Sequence, residues 1–115
     1  MAPSDIFLIE TIAGYCDDIE SAVERFSIDK NTVSEDADMR ALMAFFVQQI
    51  GETANKLSPD FRKAYPEIEW DAIVGFRHHI VHAYGKIIPK ILWDTITDDI
   101  PKLHGFCNQI KTSES

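Results

Sequence analysis

Residues 34–57, SEDADMRALMAFFVQQIGETANKL, read as one helix that is apolar on more than one side. Met39, Phe46 and Thr53 fall seven apart, and so do Met43, Ile50 and Leu57. Two rows at that spacing make one bundle-type stripe. Leu42, Phe45, Val47 and Ala54 widen the apolar surface beyond it. Such a helix needs more than one partner, so it is expected at the centre of the fold, or also facing a second copy. Ser34, followed by Glu35 and Asp36, gives it a start, with acids where the helix dipole favours them. Gly51 costs about 1 kcal/mol against Ala inside a helix. The expected return is close approach of another backbone.

The flanking segments repeat the pattern. Asp5 is the expected N-cap of a helix running to Phe26, with rows Ile9, Cys16, Val23 and Ile12, Ile19, Phe26. Asp17, Asp18, Glu20 and Glu24 lie off that stripe as a solvated face. Residues 27–33 are polar and break the period. Ser58-Pro59-Asp60 ends the central helix and caps a short one through Ala64, which Pro66 stops. A third long helical segment starts between Glu67 and Asp71. Pro89 opens the last helix, with Ile91, Leu92, Ile96, Ile100, Leu103 and Ile110 on its apolar face, and Pro101 is expected to kink or break it. No strand alternation, hairpin turn or repeat stands out. The expected fold is all-α: an up-and-down bundle of four to five helices, one domain over residues 1–115, with residues 1–4 and 112–115 as flexible ends.

Composition narrows the function. A chain 45% apolar and 26% charged is globular rather than disordered. No apolar run is long enough to span a membrane, and the start has no signal-peptide pattern, so the expectation is a cytoplasmic protein with no membrane role. Cys16 and Cys107 have no CxxC spacing and read as buried small hydrophobes. A net charge of −8 argues against broad, non-specific nucleic-acid binding. Any RNA contact must be local, or assembled from two chains.

One segment departs from that acidity. Residues 72–93 contain no Asp or Glu, where an even spread of the chain's 19 acids over 115 residues would place several. Within them stand Arg77, His78, His79, His82, Tyr84, Lys86 and Lys90. Beside Phe76, Ile80, Val81 and Tyr84, a single histidine would ordinarily be a core or rim residue. A cluster without a local acid instead leaves the arginine free for an anion and puts imidazoles beside it. Gly75 and Gly85 bracket the cluster and are placed to bend or end its helix.

Arg77, His82 and Tyr84 are spaced R-x4-H-x-Y, and here the chain resembles the HEPN ribonuclease superfamily. Within it the chain resembles the HepT-type toxins, partners of minimal nucleotidyltransferase antitoxins. Ile50-Gly51-Glu52-Thr53-Ala54 resembles the family's IGE-A segment. Residues Trp70 to Arg77 resemble its W-x-x-I-x-x-x-R approach, and Trp93 fits the following Pro-led helix. The likeness covers Ala41 to Leu103. One departure is His78, where these toxins commonly carry Asn or Asp.

The resemblance implies a helical homodimer with a ribonuclease cleft at its interface, built from both copies of the motif. It implies RNA endonuclease activity without metal or cofactor, as the toxin of a toxin–antitoxin pair. It also implies adenylylation of Tyr84 by the nucleotidyltransferase partner, which silences the enzyme. Read from the residues alone, Tyr84 is better taken as a core tyrosine with a bonded hydroxyl, and it is the resemblance that reverses this. Cleaving RNA without metal takes a base for the 2′-hydroxyl, an acid for the leaving 5′-oxygen and a cation for the phosphorane. His82 is assigned as general acid/base, Arg77 to the scissile phosphate, and His78 as a secondary phosphate or proton group. In one ideal helix, positions 77 and 82 point about 140° apart. They converge only if the helix ends between them, the arginine wraps round, or two subunits share the site. Two rival readings stand beside this one. His78 and His82 have the i, i+4 spacing of zinc ligands, which would need Cys107 or His104 to complete the site. Alternatively, the cluster is a docking surface with no turnover.

Overall fold

A computed structural model describes residues 2–82 and 84–114; of the expected flexible ends, Met1 and Ser115 lie outside the described residues. All its extended elements are helices: α1 (Pro3–Arg25), α2 (Lys30–Glu35), α3 (Ala37–Ala54), α4 (Pro59–Ala64), α5 (Trp70–Val74), α6 (Phe76–Ile80), α7 (Pro89–Asp94) and α8 (Ile100–Glu114). A π-helical turn, Thr95–Asp99, links α7 to α8. The fold is all-α, as the periodicity predicts. Among the described residues the only β pairing is an isolated antiparallel bridge between Val81 and Ile87.

Helix α3 is the hub. It packs against α1, α2, α5, α6 and α7, while α1 packs against both α3 and α8. The core follows the predicted rows: Ile9, Ile12, Cys16 and Ile19 from α1, and Met43, Val47, Ile50 and Ala54 from α3, are all buried. Ile100, Leu103, Cys107 and Ile110 complete it from α8. An aromatic cluster closes one end. Phe61 and Trp70 each pack edge-on against Phe106, with ring centroids 6.4 and 5.7 Å away, and the Trp70 indole donates to the Tyr65 carbonyl at 3.0 Å.

Several boundaries differ from expectation, each for a local reason. Asp5 is not the N-cap of α1. Ala2 holds that position, with Pro3 in the first turn, so Pro3 and Ser4 are helical rather than tail. Asp5 is buried and accepts hydrogen bonds from the Ser58 N–H at 2.9 Å and the Ser58 hydroxyl at 2.7 Å. Ser58 in turn caps α4 by accepting from the Phe61 N–H. One carboxylate thus ties two helix starts together. Phe26 is 47% exposed because α1 ends one residue earlier. The polar stretch holds a helix of its own, α2, whose Asp29 and Thr32 cap each other's backbone N–H. Asp36 rather than Ser34 then caps α3, accepting from the Asp38 and Met39 N–H groups.

Pro101 neither breaks nor ends the last helix. Proline cannot donate to the carbonyl four residues back, and its ring crowds that carbonyl. The backbone opens into the π turn just before it, and the helix resumes. At the other end, α8 extends through Thr112 to Glu114, residues expected to be tail. Among the described residues no helix is long and apolar enough to cross a membrane.

Candidate active site

The acid-free segment is held in place by Gly51. A Cβ at that position would lie 2.8 Å from the Ile73 carbonyl oxygen and 3.4 Å from that of Val74. Only a glycine lets α5 lie this close to α3, and this is the backbone approach that the helical glycine predicts. Ile73, Phe76 and Ile80 are buried below α5 and α6. The chain breaks between these helices at Gly75, so the expected third long helix is two short ones.

Helix α6 ends at Ile80, and Val81 is extended, with φ −120° and ψ 150°. The helix therefore terminates between Arg77 and His82, which removes the constraint that sets them apart on one continuous helix. Beyond Val81 the chain forms a tight, pinned loop. The Ile88 N–H donates to the Ile80 carbonyl at 2.7 Å, the His82 N–H to Lys86 at 3.1 Å, and the Gly85 N–H to His82 at 2.8 Å. Gly85 has φ +74°, the left-handed region where a glycine is favoured. Here the second bracketing glycine has a concrete use: it closes the turn.

The side chains on this frame face solvent. Arg77, His78, His79, His82, Tyr84 and Lys86 are all exposed. Tyr84 is 88% exposed, so it is not the core tyrosine of the residue-only reading. Its ring stands edge-on to the His82 imidazole, centroids 6.3 Å apart. Among the described residues, no ion pair or side-chain hydrogen bond engages Arg77, His78 or His82. The frame thus presents a guanidinium, two imidazoles and a phenol without a carboxylate bonded to them.

His79 is set apart from this group. With Phe76 and Ile80 facing the core, an ideal helix places positions 77 and 79 on opposite flanks. Asp99, in the π turn, interacts electrostatically with His79. Burial pushes the Asp99 carboxyl above its usual range, Asp98 raises it further, and His79 partly offsets both.

The distant ligands of the metal reading are committed elsewhere. Cys107 is buried in the core, where desolvation pushes its thiol up to about 12. His104 lies between α1 and α8, its Nε2 2.8 Å from an Asp17 oxygen and its Nδ1 2.8 Å from a Glu20 oxygen. Asp17, Glu20 and His104 are the one group of three metal-compatible side chains within mutual reach among the described residues. Sequence reading missed this trio, because 87 residues separate His104 from Asp17 and no local pattern joins them.

The family profile for HepT-like proteins, described as ribonuclease HepT-like, matches residues 12–110. The chain belongs to the HepT-like ribonuclease family. The matched span runs from the middle of α1 to the last buried turn of α8 and takes in the whole α6–loop frame. This HepT-like chain is 36% identical over 86 residues to "Probable ribonuclease HepT" of Thermococcus cleftensis, covering 75% of this chain and 72% of that one. It is 30% identical over 76 residues to "Putative RNase MJ1380" of Methanocaldococcus jannaschii, covering 66% and 70%. A third relative, "Putative RNase TTE0752" of Caldanaerobacter subterraneus, shares 32% identity over 65 residues, covering 56% and 58%. No solved structure matches the chain significantly.

Proposed function

We propose that this HepT-type protein is an RNA endonuclease that works without a metal ion, with Arg77 and His82 at its centre. The observation that carries this reading is the end of α6 at Ile80. It leaves Arg77 on a helix anchored to the core and His82 on a loop fixed by three backbone hydrogen bonds. Neither side chain is bonded to a carboxylate among the described residues, so both are open to a phosphodiester. In this reading an imidazole takes the 2′-hydroxyl proton, and the 2′-oxygen attacks phosphorus. Arg77 neutralises the charge on the phosphorane oxygens. The P–O5′ bond breaks as a second imidazole protonates the leaving oxygen, giving a 2′,3′-cyclic phosphate and a 5′-hydroxyl. His82 fills one proton role. His78, or the His82 of a second copy, fills the other.

The second-copy arrangement suits the charge balance, since two copies would double the local cations of a chain at −8. We propose that the protein is the toxin of a toxin–antitoxin pair, whose nucleotidyltransferase antitoxin transfers AMP from ATP to the exposed Tyr84 hydroxyl, releasing pyrophosphate and the hydroxyl proton. The added phosphate would stand beside His82 and offer Arg77 a bidentate partner, blocking RNA by charge and by bulk.

The direct test is incubation of purified protein with RNA in the presence of EDTA. Cleavage that survives EDTA and yields cyclic-phosphate ends agrees with the proposal. Cleavage abolished by EDTA and restored by zinc would replace it with the metal reading. No cleavage under either condition, by protein shown to be unmodified, would leave a docking module.

A further inference from the structure

A broad groove lies between α1 and the α7–π–α8 run. It has a volume of about 860 Å³. Its floor is apolar: Ile96 and Ile100 are buried, and Val23 and Trp93 are half-buried at its edge. Its rim on α1 is acidic. Asp17, Glu20 and Glu24 follow one another at i, i+3 and i+7, a single row spanning two helical turns, about 10 Å. No Lys or Arg is among the groove's lining residues.

His104 orients part of this rim. Its two ring nitrogens hold Asp17 and Glu20, yet those side chains remain 64% and 73% exposed. They are fixed in position and still open to a cation. On the opposite wall stands Gly105, exposed, with nothing within 4 Å of where its Cβ would be. There the groove is open up to the backbone of α8.

From this charge complementarity we infer that the groove is a docking site for a basic amphipathic helix of a partner protein. Apolar side chains of that helix would lie on Val23, Trp93, Ile96 and Ile100. Its Lys or Arg residues, spaced three and four apart, would meet the row Asp17, Glu20, Glu24. This is the helix-in-groove mode, with affinity from the apolar face and register from the charges. The same row repels RNA and anionic lipid, so neither fits this surface. The inference does not rest on the ribonuclease reading.

The probe is a synthetic helical peptide of about 14 residues, with a Leu face and a Lys row at i, i+3 and i+7, titrated into the purified full chain. Trp93 lines the groove and Trp70 is buried in the core, so a change in tryptophan emission reports occupation. Binding is expected for this peptide and not for its Glu-substituted twin. It should weaken with salt and fall about tenfold or more in Glu24→Lys. Gly105→Arg should abolish it, because that arginine fills the open wall and pairs with the acids. Both positions are exposed, so thermal melts of the two variants should show intact folds. Arg77→Ala should bind the peptide like the parent chain. The inference is overturned if the two peptides bind alike, if neither binds, or if neither groove variant alters binding. It is equally overturned if Gly105→Arg converts a dimeric protein to a monomer, which would make a second copy the occupant.

Discussion

The Cβ that Gly51 lacks would stand 2.8 Å from the carbonyl oxygen of Ile73. That closeness joins the central helix to the segment carrying Arg77. In an unobstructed helix, Gly51→Ala would stabilise by about 1 kcal/mol. Here the neighbours are backbone atoms that cannot rotate away, so overpacking should dominate and cost about 1–3 kcal/mol. Thermal unfolding of Gly51→Ala should show a lowered Tm, and RNA cleavage should fall as α5 and α6 shift. A raised Tm would mean that the two helices do not approach this closely.

Asp5 offers a test of the link between helix starts. Asp5→Ala removes two hydrogen bonds to Ser58, one of them to the hydroxyl that caps α4. Bonds to a charged group contribute about 1.5–3 kcal/mol each. Denaturant unfolding should show a loss of at least about 2 kcal/mol. A loss confined to a few tenths would mean that water replaces the carboxylate at no cost.

Asp99 carries a pH signature. Burial, then Asp98, push its carboxyl above the ordinary 3.8, with His79 opposing. The folded protein therefore holds this proton more tightly than the unfolded chain. Linkage then makes stability fall as pH rises from the unfolded value through the folded one, and the loss persists above it. Asp99→Asn should raise Tm at neutral pH, and the gain should shrink as pH is lowered toward 3.8. Melting curves of both proteins across that range decide it. A gain that grows on acidification would contradict the sign.

Assembly is the fourth test. Phe45 on α3 is 50% exposed, with Leu42 and Phe46 half-buried nearby in sequence. We expect this surface to bury itself in a homodimer. Sedimentation of the parent chain should give twice the 13.1 kDa of one copy, and Phe45→Glu should shift it toward one copy. A monomeric yet fully active parent chain would remove the shared-cleft arrangement.

How much of the fold was legible in the sequence depended on the range of the interaction. The seven-residue rows of α1 and α3 identify most of the core, because burial along a helix repeats locally. Gly51 signals a close approach, although only the fold shows that Ile73 makes it. Helix α2 escapes periodicity because six residues hold too few apolar positions, and its capping pair Asp29 and Thr32 is the usable signal. The break at Gly75 and the stop at Ile80 depend on packing against α3 and on the bridge from Val81 to Ile87, which no local pattern encodes. Of the proposed site residues, Arg77, His78, His82 and Tyr84 are visible as an acid-free cluster. Their exposure, and the separation of His79 toward Asp99, come only from the fold.

We propose that Arg77 and His82 act on one scissile phosphate. The measurement is RNA cleavage in EDTA by Arg77→Ala, His82→Ala and His79→Ala, each first shown to be folded and to sediment like the parent chain. The first two variants should lose about 10²-fold or more of the rate, while His79→Ala stays within a few-fold of the parent. Full activity in His82→Ala, or loss in His79→Ala alone, would contradict the assignment.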